Sequence, residues 1–502
     1  MSNIIVRPSR HSYTSRGLAC FVSLVVVLIC LPVTLFASQP VFACQSASQP
    51  VFASQPENVG GPEKRTEQPP NIVLIISDDQ AWTDFGFMDH PVIQTPNLDR
   101  FAAESRTFKR GYVPTSLCCP SLATIITGLY PSQHHVSGND PAVTGVTGQQ
   151  LRRERFLELD QRVDAKIESI ATLPKTLAEQ GYVSFQSGKW WHGSFAKGGF
   201  TDGMTHGDPA RGGRHGDVGL QIGRQGLQPI LDFVDGAQQK PFFVWYAPFL
   251  PHTPHNPPQD LLQKYKQSDR PLKLAKYYAM CEWFDQTCGE LIEQIDNRGL
   301  AENTLFIFVT DNGWTQLTSE TTKPEGWKKA FAPGSKQSPN EAGIRTPIML
   351  RWKGKIEPLM DEETLVSSVD LAPTILQAAG ITKPATMTGV SLLDVTAQNP
   401  LDREVLFGEI FAHDIANVDD PGESLLYRWC IFRNQKLILH YDGKTGRYGS
   451  IHEHMQGDGQ PKLFDLGNDP HETEDLASEN PQQVEDLKAR VDSFFNQLPA
   501  VH

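Results

Sequence analysis

Asn71-Ile72-Val73-Leu74-Ile75-Ile76-Ser77-Asp78-Asp79 is the stretch that decides the fold. Its centre, residues 72–76, is wholly apolar and mostly β-branched, with no polar alternation. That is the pattern of a strand covered on both faces, as in a sheet with helices on either side. The theme recurs along the chain. Thr95-Pro96 opens a helix with a cap followed by proline in the first turn. Residues 173–180 read as a helix closed by Gly181, with a strand from Tyr182. Residues 242–247 and 305–309 are further apolar strands, and 277–296 form a long amphipathic helix. Strands alternating with helices predict an α/β domain with a largely parallel sheet.

The texture changes at both ends. From about Pro400 the short strands 404–410, 428–433 and 437–441 precede a closing helix over 481–498. We therefore expect a catalytic domain over 71–399 and a C-terminal subdomain over 400–502, with a small antiparallel sheet and a terminal helix. At the other end, Arg7, Arg10 and Arg16 precede the apolar run 18–36 and the small pair Ala37-Ser38, the layout of a signal peptide over 1–37. This predicts export to the periplasm or the cell exterior, or membrane anchoring if the leader is retained. No later stretch is long and apolar enough to span a bilayer. Residues 38–70 repeat Ala-Ser-Gln-Pro-Val-Phe-Ala at 37–43 and 47–53 and cannot build a core, so they read as a disordered linker.

A formal charge of −13 argues against a nucleic-acid or membrane-surface binder, but not against an anionic substrate met by a few lysines in a cleft. Of eight cysteines, three lie in or near the leader, too few remaining for a disulfide scaffold. Cys281 and Cys288 stand seven apart on one helix, too far to bridge, and read as packing residues.

Four of the expected strands run into polar residues: Asp78-Asp79, Gly188-Lys189, Pro251-His252 and Asp311-Asn312. Sites in open α/β sheets form outside the carboxyl edge. Asp78, Asp79, Asp311 and Asn312 offer only oxygen, which suits a hard divalent ion rather than zinc. Each pair alone is more often a turn or a helix cap. Both aspartates of the first pair converge only if the strand ends there. Between these segments, Ser116-Leu117-Cys118-Cys119-Pro120-Ser121 leads into a helix that Gly128 can close. Cys118 thus stands at a helix N-terminus, where backbone N–H groups favour anions.

Cys118-Cys119-Pro120-Ser121, with Thr127-Gly128 downstream, resembles the type I sulfatase signature Cys-x-Pro-Ser-Arg followed by Thr-Gly. The resemblance extends over most of the chain, through Asn71 to Asp79, Tyr130-Pro131, Gly188-Lys189-Trp190, Pro251-His252-Thr253-Pro254, Thr310 to Gly313, Lys336 with Glu341 to Pro347, and Leu463 to Leu476. It implies an alkaline-phosphatase-like fold: a large mixed, mostly parallel sheet flanked by helices, with a smaller C-terminal α+β subdomain. It implies calcium, with magnesium as second choice, on Asp78, Asp79, Asp311 and Asn312. Cys118 would be oxidised by a formylglycine-generating maturation enzyme. The hydrated formylglycine would attack sulfur, the alcohol would leave, and the second hydroxyl would then expel sulfate. Lys189 and Lys336 would bind the sulfate oxygens, and His252 would contact sulfate or assist the leaving group as an acid. The implied activity is hydrolysis of sulfate esters, on sulfated carbohydrates, with no nucleic-acid and no stable membrane partner.

The pattern breaks at two main points, with a smaller change at Ala342, which replaces the first glycine after Glu341. Leu122 stands at the signature's arginine and offers neither charge nor donor. Trp191 stands where the family places a histidine, and His192 replaces it only if the loop bulges. His134, His135 and His255 take no role, and Asn139-Asp140 reads as a solvated turn more than a substrate rim. Two other readings remain: a phosphodiester or phosphonate ester hydrolase on the same scaffold, and a non-catalytic, calcium-dependent binder of sulfated glycans. The loops carrying Trp190, Trp191, Arg211 and Arg214 suit a sugar.

Overall fold

A computed structural model describes residues 68–207, 213–318, 327, 329–445 and 459–501. The leader, nearly all of the linker and Arg211 lie outside these residues. Strand β1 (Asn71–Ser77) is followed by β2 (Arg106–Tyr112), β3 (Asp140–Pro141), β4 (Val183–Gly188) and β5 (Asp202–Gly203). Next come β6 (Phe242–Ala247), β7 (Thr304–Thr310), β8 (Arg345–Arg351), β9 (Leu359–Asp361) and β10 (Val366–Ser367). The last are β11 (Val405–Phe411), β12 (Asp414–Ile415), β13 (Leu425–Phe432), β14 (Gln435–His440) and β15 (Lys462–Asp465).

The large sheet runs β10-β2-β8-β7-β1-β6-β4-β5, with β9 beside β2. β1 sits within it, pairing parallel with β6 and β7, so that Ile72 faces both Phe243 and Leu305. Its side chains alternate between two cores. Ile72, Leu74 and Ile76 join one with Trp245 and Ile307, while Val73 and Ile75 join the other with Val244 and Phe306. This is the two-sided burial that the apolar run predicts, each side chain contributing about 2 kcal/mol. The sheet is mixed because β8 runs antiparallel to both β2 and β7.

The helix expected over 277–296 spans Leu272–Asn297. Cys281 and Cys288 are buried and unbridged. The segment 405–465 forms a separate antiparallel sheet, β11-β13-β14-β15, whose inner face shares a core with the closing helix Pro481–Gln497. A short parallel pairing of β3 with β12 brings Asp140 opposite Asp414. No helix among the described residues is long and apolar enough to cross a membrane.

Candidate active site

The four polar strand endings meet because β7, β1, β6 and β4 are neighbours in the sheet, all parallel. β1 stops at Ser77, and Asp79 adopts φ 61°, a left-handed conformation that aspartate tolerates better than most residues. The end of the strand therefore brings both aspartates to one site. The amide of Asp78 donates to Leu250 O at 3.0 Å and that of Asp311 to Ser77 O at 2.9 Å, locking three of the endings together. Gly188, at φ 82°, passes so close to β6 that a Cβ there would lie 1.9 Å from Ala247 O. Gly188→Ala is thus expected to destabilise the protein by about 2–4 kcal/mol and to displace Lys189. An unchanged thermal midpoint would show that the strands can separate.

All eight candidate residues converge. Lys189 Nζ donates to Asp78 at 2.5 Å and to Asp311 at 3.3 Å. Lys336 Nζ contacts Asp79 and lies 2.9 Å from Cys118 Sγ. Asn312 Nδ2 donates to Asp79 at 2.7 Å, and His252 Nε2 lies 3.4 Å from Asp79 Oδ2. The two lysines thus bond to the site's carboxylates. Cys118 begins the helix Cys118–Thr127, which ends at Gly128 with φ 68°. Asn139, buried rather than in a solvated turn, accepts from the Cys119 amide at 3.1 Å and reaches Cys118 Sγ at 4.0 Å.

Burial dominates the electrostatics, and neighbouring charges oppose it. It pushes Asp78 up and Asp311 up to about 7. It acts on Asp79 too, but Lys336, His252 and Lys189 outweigh it and hold that carboxyl well below its usual range. Burial would strip Lys189 of its proton, yet Asp78, Cys118 and Asp311 keep it charged, and Asp79 does the same for Lys336. Lys189 therefore meets Asp78 as a protonated ammonium. Burial raises the Cys118 thiol above its ordinary value despite both lysines, so the unmodified side chain is a poor nucleophile. His252 is lowered to about 3, first by burial, against the pull of Asp79.

The donor set fits a hard cation. Asp78 Oδ2, Asp79 Oδ2 and Asn312 Oδ1 are buried without a hydrogen-bond partner among the described residues. Each such orphan costs about 1–3 kcal/mol unless something satisfies it. Ligand atoms of Asp78, Asp79, Cys118 and His252 lie within 4.8 Å of one another.

Leu122 is buried in the main core, so its position is an apolar one; the cations acting on Cys118 are Lys189 and Lys336. His192 is buried against Trp190, both ring nitrogens without hydrogen bonds among the described residues, and does not line the cavity over Cys118. Trp191, Arg214, His215, Phe249 and His413 do line it. Of these, His215, Phe249 and His413 escape the sequence reading. His413-Asp414 carried a usable signal, being a polar pair directly after the apolar end of β11.

The fold is an alkaline-phosphatase-like α/β fold, with the candidate site at the carboxyl edge of the sheet. The family model "Sulfatase" matches residues 70–381, and "N-sulphoglucosamine sulphohydrolase, C-terminal" matches 335–498. The chain belongs to the sulfatase family and is a sulfuric ester hydrolase. It is 27% identical over 473 residues to human N-acetylgalactosamine-6-sulfatase, covering 86% of this chain and 85% of that one. A solved structure of BT4656 with its substrate D-glucosamine-2-N,6-O-disulfate superposes with TM-score 0.62 at 19% identity, covering 86% and 98%. The phosphonate monoester hydrolase of Agrobacterium radiobacter superposes with TM-score 0.60 at 17% identity, covering 86% and 96%. The fold alone therefore does not separate sulfate from phosphonate chemistry.

Proposed function

We propose that this protein is an exported enzyme that hydrolyses sulfate esters of carbohydrates, using a formylglycine made from Cys118 and one calcium ion. The observation that carries this reading is the meeting of Cys118, two buried lysines and three orphaned oxygens at one strand edge. Asp78, Asp79, Asp311 and Asn312 would hold calcium, which would supply Lewis-acid charge to activate the nucleophile. The aldehyde, once hydrated, would give Cys118 the two hydroxyls that attack and release require. Lys189 and Lys336, held protonated, neutralise sulfate oxygens as charge accumulates. His252 orients towards Asp79, with its Nδ1 fixed 2.5 Å from Thr253 O, and its Nε2 edge serves the ester. The sugar is favoured by the relative of known substrate name, a sulfatase of N-acetylgalactosamine. Leu122 is tolerated in this reading because lysines supply the charge around Cys118.

Two measurements test the proposal. The peptide 111–152, from protein made in its native host, should carry an aldehyde at Cys118 by mass spectrometry. Unmodified Cys118 together with retained binding of sulfated glycans would favour a non-catalytic role. Side by side, 4-nitrophenyl sulfate should be hydrolysed with at least ~100-fold higher kcat/KM than bis(4-nitrophenyl) phosphate, about 3 kcal/mol of discrimination. The opposite preference would assign the site to phosphoryl esters.

A further inference from the structure

The cavity over Cys118 has a volume of about 320 Å³ and two unlike ends. The sulfate end is made by the strand endings. The far end is a wall that includes Arg214, contributed by a different part of the chain, and nothing in the sulfate chemistry requires it. Resting on the sulfatase reading above, we infer that Arg214 is the specificity-determining residue for the alcohol side of the ester. It reads the hydroxyls of a sugar there.

Arg214 is held more rigidly than a half-exposed arginine needs to be. Its Nε donates to Asp140 Oδ1 at 2.6 Å, and Nη2 contacts the same oxygen. Nη1 lies 2.5 Å from His215 Nε2, and the guanidinium stacks 4.7 Å from the Trp191 ring centroid. His215 is in turn wedged against Trp191, with ring centroids 4.5 Å apart. Because burial and Arg214 together lower His215 to about 3, the ring is neutral and its Nε2 accepts from the arginine. Asp140 is fixed from behind by the β3–β12 pairing and is itself buried.

A guanidinium has five N–H groups in one plane. The contacts to Asp140 and His215 fix that plane, and because Arg214 lines the cavity, the N–H groups they do not use are available to a sugar. The Asp140 carboxylate cancels the arginine's charge, so the pair is not built to hold a second anion. A neutral donor–acceptor pair with fixed geometry matches adjacent sugar hydroxyls instead. Discrimination follows because a leaving group without hydroxyls leaves these fixed, partly desolvated donors without the partner that a sugar supplies.

The test compares kcat/KM for a panel of monosulfated hexoses with that for 4-nitrophenyl sulfate, in wild type, Arg214→Ala and Arg214→Lys. Both rates come from one preparation, so a partly unfolded sample leaves their ratio intact. We expect the best hexose to be favoured over the aryl ester in wild type. Arg214→Ala should lower that ratio about 100-fold, from the loss of charge-assisted hydrogen bonds. Arg214→Lys, which keeps the charge but not the planar fork, should lower it at least tenfold. Equal losses on both substrates, an unchanged ratio, or a loss confined to hexoses carrying a second anionic group would each overturn the assignment. So would a wild-type preference for the aryl ester. A wild type with oxidised Cys118 that hydrolyses neither ester fails at the earlier step and refutes the sulfatase reading itself.

Discussion

Cys118→Ala is expected to reduce sulfate-ester hydrolysis by a factor on the order of 10⁵, the scale of losing a nucleophile outright. No neighbour can take its place. Around Sγ stand two protonated lysines and the Asn139 amide, which are no nucleophiles, and Asp78, Asp79 and His252, which are already engaged: Lys189 and Lys336 hold the carboxylates, and Thr253 O holds His252 Nδ1. Cys119 points elsewhere and is pushed up still further by burial, so it stays a thiol. Cys118→Ser is the sharper variant, because it keeps one hydroxyl where the proposed route of release would need two. It should free at most one equivalent of alcohol per chain and then stop. Stopped-flow release of 4-nitrophenol from its sulfate measures this directly. Sustained turnover by the serine variant, or a tenth of wild-type rate in the alanine variant, would remove this side chain from the reaction.

The site was legible in the sequence because its residues follow apolar strands, and the strands announce themselves. Residues 72–76, 242–247 and 305–309 each lie within one residue of the strand observed. What the sequence concealed is what lies off that pattern. β2 reads Arg-Thr-Phe-Lys-Arg-Gly-Tyr, and its central Lys109 and Arg110 are only half-buried, so no apolar run marks it. The helix Gln149–Ser169 is mostly polar or charged and buries only a narrow stripe around Leu159, Val163 and Ile167. The sequence named Arg214 as suiting a sugar, but not its contact with Asp140, made across more than seventy residues, nor the two-residue strand pairing that sets Asp414, beside His413, opposite Asp140. Period and propensity record strands and helices; they do not record which loops a sheet brings together.

If calcium acts as proposed, removing divalent cations should reduce hydrolysis by about 10³-fold or more, since activation of the nucleophile and neutralisation of the ester would both depend on that charge. A change in stability checks the same point without any assay. Calcium that binds only the folded protein adds about 2.7 kcal/mol at one hundred times its dissociation constant. The thermal midpoint should therefore rise with calcium in wild type. It should rise far less in Asp311→Asn, where a charged ligand becomes a neutral one. The pH dependence follows from burial. Folding lifts Asp311 to about 7 from an unfolded value near 3.9. Between those values the metal-free folded form holds more protons than the unfolded one, so this group's contribution to stability falls as pH rises through that window. At the proposed site calcium would need the carboxylate and would displace the proton, so its binding should weaken below pH 7. The rise in midpoint on adding calcium should accordingly be larger at pH 8 than at pH 5.5. Equal increments at the two pH values, or an undiminished increment in Asp311→Asn, would place the cation somewhere other than the strand edge.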